Sequence, residues 1–457
     1  MASRVNLKVL ICGGGIAGNA LAFWLTKLGH NVTVLERHPG LRATGLQLDL
    51  RGPGIDVMKR MGLEQAFRAK RTPEEGMQMV DSTGRQRAWF PATKPKDGEK
   101  QGFTTEYEIM RGDICRILHD AAVSNTTRAG VKASARYIFG TAVESFVQNA
   151  DAVDVRFEDG TSGSFDILVG ADGQWSRTRR MMLADGPEPI KAGGSDGLYQ
   201  IPGLYFAYFT MQRPIQEGEG YIATSYLAPK RRGIMTRRHS PTEMQVMLSC
   251  RNDSELMRNI PRGDINAEKE AMANIFEGAG WQTDEIVEAM KKAPDFYCER
   301  LGLVKLSPWS RGRVALVGDA AHCPTVLTGM GTTSAMVGAY ILAGEIERHV
   351  GRHTGGRQRL DGIATALESY EAKFRPFMDQ VQKGVLENSE KQWMMAETAS
   401  QVSFMNWMMG VASFFAKRFN LVSAFGIRET VKGWDLPKYE ELGDLGDAQV
   451  QTTSVAT

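Results

Sequence analysis

The sequence predicts an α/β protein in which a domain of βαβ type is interleaved with a β-sheet domain and followed by C-terminal helices. Three observations predict it. Residues 7–36 run from an apolar strand through a glycine turn and an amphipathic helix into a second strand. From residue 143, and again over 198–250, the apolar period becomes two, the spacing of half-buried strands. Beyond residue 363 the pattern returns to that of helices. With 457 residues, 42% hydrophobic and 24% charged, the chain can bury two or three cores. A net charge of +2 with no basic stripe argues against a nucleic-acid partner. Five cysteines (Cys12, Cys115, Cys250, Cys298 and Cys323), never paired as C-x-x-C, suggest neither a disulfide framework nor a metal site, and imply a reducing compartment. No apolar leader and no uncharged apolar run of spanning length occurs, so a soluble, cytoplasmic monomer or dimer is expected.

Leu7–Cys12 reads as a buried strand, Gly13 to Gly18 as a turn, the helix that follows ends at Leu28 with Gly29 as its cap, and Asn31–Leu35 is the second strand. This is a Rossmann-like unit. In Gly13-x-Gly15-x-x-Gly18 the glycines serve in order a tight turn, close approach to a pyrophosphate, and close packing of helix on strand. Glu36 ends the second strand, where a carboxylate can accept both ribose hydroxyls of an adenosine. Dinucleotide binding follows, with NAD and FAD both open at this point.

Further along, Gly45–Gly52 precedes a helix at Ile55–Met61, and 91–102 form a polar loop. Arg111 opens a helix over Gly112–Val123; a cation there opposes the helix dipole, which points to an outside anion. Asp159-Gly160 marks a hairpin whose return strand, Phe165–Val169, delivers Gly170-Ala171-Asp172-Gly173 and then a basic cluster, Arg177, Arg179 and Arg180. Aromatic and methionine-rich strands over 198–250 suit the roof of an apolar ligand site, and 266–292 read as helical. Val314–Val317 is a short strand leading into Gly318-Asp319-Ala320-Ala321-His322-Cys323-Pro324. After it come Gly329-Met330-Gly331-Thr332 and a helix over Ala335–Ile346. A helix from Ile363 to about Gln392 precedes a Met/Phe-rich stretch at 404–425, expected to pack on its own domain, with pocket cover or membrane contact as alternatives. The tail at 444–457 reads as disordered.

Taken in order, the three nucleotide motifs resemble the FAD fingerprints of the single-component flavin-dependent aromatic hydroxylases, which share the para-hydroxybenzoate hydroxylase fold. Within that family the chain is most similar to the tetracycline-inactivating and microbial natural-product branch, through Gly45-x-x-x-Asp49-Leu50 and Gly318–Gly331. The resemblance implies an FAD-binding domain in three parts (1–75, 104–185 and 296–350), interrupted by the substrate domain (76–103 and 186–295), with C-terminal helices at 363–430. It implies that Glu36 holds the adenosine ribose and that Arg111 lies near the pyrophosphate and ribityl chain. Asp319 would bind a ribityl hydroxyl, and Gly329, Gly331 and Thr332 would meet the N1–C2=O edge of the flavin. Gly13, Gly15, Ala17, Gly18, Arg37, Gly45, Asp49, Asp172 and Pro324 complete the cofactor set, and Tyr208, Met235 and Arg237 are substrate candidates. Thr325 and Val326 stand where the family often has prolines. The implied reaction uses NADPH or NADH and O2: a non-covalent FAD is reduced, forms a C4a-hydroperoxide, and hydroxylates a small, largely apolar aromatic or polyketide-like molecule. Lacking a second G-x-G-x-x-G, the donor would bind transiently while the flavin swings to meet it. Baeyer–Villiger insertion or epoxidation are alternatives, as is a non-catalytic FAD-binding or sequestering role; a halogenase is disfavoured because no W-x-W occurs.

Overall fold

The computed structural model describes residues 6–41, 45–92, 105–125, 133, 135–185, 196–350, 356–387, 396–419 and 431–443. Strand β1 (Lys8–Cys12) leads through the glycine turn into helix α1 (Ile16–Lys27) and strand β2 (Asn31–Glu36). β1 and β2 pair in parallel with Leu10 opposite Thr33, as a crossover helix requires. Strand β3 (Gln47–Asp49) and helices α2 (Pro53–Met61) and α3 (Glu64–Lys70) follow. The chain then leaves this sheet: β4 (Gly76–Val80) and β5 (Gln86–Pro91) pair with the second one. It returns through β6 (Glu108–Met110), which pairs with β3, and helix α4 (Arg111–Ser124) into β7 (Ala135–Phe139) beside β2.

Strands β8 (Val143–Gln148), β9 (Val153–Phe157) and β10 (Ser162–Phe165) make a small antiparallel sheet. β11 (Ile167–Gly170) joins β1 in parallel, and helix α5 (Arg177–Ala184) follows. The return strand expected at Phe165–Val169 is therefore two strands in two sheets, broken at Asp166, which accepts a hydrogen bond from Lys8 N instead. The second sheet is completed by β12 (Leu198–Gln212), β13 (Ile222–Ala228), β14 (Arg232–Arg238) and β15 (Glu243–Arg251). After helices α6 (Glu255–Arg258), α7 (Ile265–Phe276) and α8 (Thr283–Lys292), β16 (Tyr297–Val304) also belongs to it. Two expectations shift here. The helix expected over 266–292 is interrupted where Gly278 and Gly280 take φ of +62° and +90°. Residues 297–304, assigned to the dinucleotide domain from the sequence, pair with β12 in the second sheet.

The chain goes back to the first sheet with β17 (Ser310–Arg311) and β18 (Val314–Leu316), then forms helices α9 (Asp319–His322), α10 (Gly331–Val350), α11 (Gly356–Val381) and α12 (Ala399–Phe419). Strand order is β17-β18-β11-β1-β2-β7 in the first sheet and β16-β12-β15-β14-β13-β4-β5 in the second. α1 is buried along ten consecutive residues, Ala17–Thr26, because it lies between its sheet, α4 and α10. Each large side chain it buries there, such as Leu21 or Leu25, contributes about 1.5–3 kcal/mol. Helices α7 and α8 cover one face of the second sheet through Met272, Phe276, Ile286 and Met290. The other face is turned toward the first domain: Gln245 on β15 accepts from Gln47 N at 2.6 Å and donates to Gly45 O.

α12, the described part of the 404–425 stretch, is seated on β5. Ser413 Oγ both accepts from Trp89 N and donates to Trp89 O, at 3.0 and 2.9 Å, and Ala416 and Met409 pack into the cluster around Phe90. Phe404, Trp407 and Phe414 stay exposed. Among the described residues no helix is long and apolar enough to cross a membrane. Residues 420–430 and the 444–457 tail lie outside the described residues.

Candidate active site

Parallel pairing places the ends of three strands side by side: Cys12 stands opposite both Leu35 and Gly170, and Gly170 opposite Leu316. The three glycine motifs thus leave adjacent strands at the carboxyl edge of the sheet, where open α/β sheets bind ligands. Their close approach explains the residues used. A Cβ on Gly13 would lie 2.5 Å from Ala171 O, one on Gly18 would lie 1.9 Å from Gly13 O, and one on Gly318 would lie 2.7 Å from Ala17 Cβ. At Gly15, by contrast, a Cβ would meet no protein atom within 4 Å. Two glycines of the turn serve packing, and the third faces the open cleft at the N-terminus of α1, where amides and dipole favour an anion. Glu36 ends β2 beside this turn and accepts from Gly14 N at 2.9 Å and His38 N at 3.0 Å. Those bonds fix its carboxylate at the cleft.

The second motif proves to be a helix cap. Asp172 accepts from Ser176 Oγ at 2.5 Å, Arg177 N at 2.9 Å, Thr178 N at 3.0 Å and Thr178 Oγ1 at 3.1 Å, so its carboxylate satisfies the first turn of α5. Asp172 therefore shapes the cleft wall. Arg179 is fully buried and donates to Ala320 O, Gln174 O and Asp196, so this member of the basic cluster is spent inside the protein. Arg180 is exposed, as is Arg37 next to Glu36. Arg262, from the loop before α7, stacks 4.6 Å over Trp175; burial lowers its pKa and repulsion from Arg37 and Arg180 adds to that. Three guanidiniums from three elements gather on this rim.

Deeper in the cleft, Arg111 starts α4 immediately after β6. Gly45 takes φ +149°, and a Cβ there would lie 2.9 Å from Arg111 Cδ, so the missing side chain lets Arg111 lie across it. The Arg111 guanidinium makes no hydrogen bond or ion pair with any described residue, and its charge reaches Asp319 and Glu299. Asp319 faces the open cleft yet is hemmed in by protein: desolvation raises its pKa, and Arg111 opposes the shift. Pro324 is buried. Thr325 beside it has φ +62°, a conformation closed to proline, so the wall here departs from a proline-built one. Gly329 takes φ +64°, and a Cβ on Gly331, the first residue of α10, would meet nothing within 4 Å. Thr332 is nearly buried in that first turn, and Thr333 Oγ1 exchanges 3.0 Å hydrogen bonds with Arg51 N and O. Arg51 in turn pairs with Asp49, whose Oδ1 is buried with no partner among the described residues. His322 of the same motif is a core residue: burial pushes its pKa down to about 3, and it packs among Trp309, Tyr370 and Phe374.

Across the cleft, register places Tyr297, Tyr208, Met247, Met235 and Ser225 in one row of the second sheet, with Thr210, Gln245 and Arg237 in the next. Tyr208 and Tyr297 stack at 5.1 Å, and Met235 and Met247 are half-buried. Arg237 is held by Glu74 and Glu108, two residues the sequence reading did not single out. No local pattern signals them, since they lie 163 and 129 positions from Arg237 in the chain.

Together these features define a dinucleotide cleft closed on one side by an aromatic and thioether sheet. The residues fit FAD. Open space at Gly15 and Gly331, an unpartnered guanidinium at Arg111, a carboxylate facing the cleft at Asp319 and an orphaned acceptor at Asp49 are complementary to its phosphates, ribityl hydroxyls and pyrimidine edge. Comparison with known proteins gives the family. Residues 6–384 match the family model described as FAD binding domain. The chain is 48% identical over 443 residues to the FAD-dependent monooxygenase asL4 of Sarocladium schorii, covering 96% of this chain and 99% of that one. It is 40% identical to the flavin-dependent monooxygenase eupH of a Phoma species, over 82% of this chain and 84% of that one. Among solved structures, tetracycline destructase Tet(51) superimposes with a TM-score of 0.69 at 28% identity, covering 96% of this chain and all of the other. The chain belongs to the FAD-dependent monooxygenases of the aromatic-hydroxylase family, and its cofactor is FAD.

Proposed function

We propose that the protein uses NAD(P)H and O2 to hydroxylate a small, largely apolar aromatic or polyketide-like natural product. The observation that carries this reading is the row of Tyr297, Tyr208, Met247 and Met235, in which Tyr208 is buried and the other three are half-buried, on the sheet face not covered by α7 or α8. Flat aromatic and soft thioether surfaces suit a planar ring system. When bound, FAD supplies the redox chemistry, taking a hydride from the nicotinamide and activating O2. This chain's own residues bind and orient. Glu36, Arg111 and Asp319 would hold the adenosine, pyrophosphate and ribityl segments. The first turn of α10, through its amides and dipole, favours negative charge at the pyrimidine edge. The sheet face excludes water and positions the substrate ring. With one dinucleotide turn, taken by FAD, the anionic nicotinamide donor docks from outside, and the Arg37, Arg180 and Arg262 rim suits its phosphates. That rim and the inner pocket would be the two places between which the flavin ring has to serve donor and substrate.

Purified protein incubated with NADPH, O2 and a panel of phenolic and polyketide natural products tests this. At least one compound should accelerate NADPH oxidation and gain the mass of one oxygen. A panel in which FAD is bound, NADPH is never consumed and no mass changes would instead mark a binding protein.

A further inference from the structure

Arg237 faces the cleft with its side chain 17% exposed, yet its charge is already engaged. Nε and Nη2 donate to the two oxygens of Glu74 at 2.8 and 2.7 Å, and Nη2 also donates to Glu108 at 2.6 Å. Both carboxylates are buried, each 1% exposed in the side chain, and the Gln47 amide donates to them at 3.0 and 2.7 Å. The neighbouring pair Asp49 and Arg51 belongs to the same group of charges. The Arg237 guanidinium thus spends its hydrogen bonds on both carboxyl groups, and Arg51 pairs with Asp49, so neither cation is offered to the cleft. Burial, with Glu74 and Asp49 beside it, pushes the Glu108 carboxyl up to about 8 against the pull of Arg237. Glu108 Oε1 is buried and has no partner among the described residues.

Outside this cluster a cavity of about 680 Å³ opens beside Gly45 and Met110, and Glu243, Glu285, Glu288 and Asp295 edge it against Lys292 and His239. An approaching carboxylate meets like charge at the flank, and at the sheet it finds Arg237 already engaged. A neutral molecule meets neither penalty.

We propose that Glu74 and Glu108 are specificity-determining residues: by holding Arg237 they close the pocket to aromatic carboxylates and select neutral substrates. The proposal rests on the reading of this cleft as a flavin monooxygenase site. Its test uses a matched pair of probes, 2-naphthol and 2-naphthoate, titrated into the FAD-loaded enzyme at neutral pH and followed by the absorbance of the bound flavin. The wild type should bind the naphthol at least tenfold more tightly than the naphthoate. Glu74→Gln/Glu108→Gln, which leaves Arg237 unneutralised, should bind naphthoate at least tenfold more tightly than the wild type does, and adding Arg237→Gln should abolish that gain. A wild type that takes the naphthoate as well as the naphthol, or a double variant that gains nothing, overturns the proposal. Should the double variant lose FAD, the wild-type comparison decides alone. NADPH oxidation is read separately on the same samples. A protein that prefers the naphthol but oxidises NADPH with no compound loses the monooxygenase reading and keeps this one.

Discussion

Alanine at Gly15 and alanine at Gly18 should fail in opposite ways. Gly15 caps α1 with φ −78° and ψ −168°, a conformation open to any residue, and its new Cβ would touch no protein atom within 4 Å. The apoprotein should therefore keep its stability to within about 0.5 kcal/mol. The methyl group enters the space into which the pyrophosphate must come, and FAD affinity should fall at least tenfold, about 1.4 kcal/mol. Gly18 lies inside α1, where alanine is normally better than glycine by roughly 0.5–1 kcal/mol. Here the Cβ would sit 1.9 Å from Gly13 O, 3.1 Å from Gly13 C and 3.4 Å from Ile11 Cγ2, so backbone has to move. Overpacking of this kind costs about 1–3 kcal/mol, which outweighs the helix gain. Urea unfolding of flavin-free protein, together with fluorescence titration of FAD, separates the two effects. Wild-type FAD affinity in Gly15→Ala, or a wild-type unfolding midpoint in Gly18→Ala, would refute the division of labour between these glycines.

The Arg111 guanidinium has no hydrogen bond to lose among the described residues, so Arg111→Gln should leave apoprotein stability within about 0.5 kcal/mol while weakening FAD by about 1.5–3 kcal/mol, measured by the same two assays. Asp172→Ala removes the acceptor of the Arg177 and Thr178 amides while the Ser176 cap stays, and should destabilise the apoprotein by about 0.5–2 kcal/mol in urea; an unchanged midpoint would show that the carboxylate does not support this turn. His322 is held neutral by burial, its pKa pushed from 6.5 down to about 3. The unfolded chain therefore binds a proton that the folded chain refuses between those values, and stability falls as pH drops through that window. His322→Phe should flatten this part of the stability profile. A profile of unaltered slope between pH 6.5 and 3 would contradict the burial of a neutral imidazole.

Local sequence carried most of the cofactor half of the site. Gly18 is forced by Gly13 in the same turn, whereas Gly13 and Gly318 are forced by Ala171 and Ala17 far away in the chain; the motifs were legible because a short apolar strand precedes each and the glycine spacing is itself a turn signal. Asp172 was legible as a motif but not as a cap, because its partners Ser176, Arg177 and Thr178 read equally well as part of a basic helix face. The substrate half was less legible for two reasons. Strand β16 pairs with β12 across about a hundred residues, so neither its sheet nor its domain is written in its own pattern. The Arg237 cluster draws Gln47, Glu74 and Glu108 from three separate segments, and each alone reads as an ordinary polar surface residue.

Oxygen isotope labelling tests the central claim most directly. Turnover under ¹⁸O2 with NADPH and a compound that stimulates its oxidation should place one ¹⁸O atom in the product and none from solvent water. If no compound gains ¹⁸O, and all the O2 consumed by the FAD-loaded protein is recovered as hydrogen peroxide whatever ligand is present, the protein is not the monooxygenase described here.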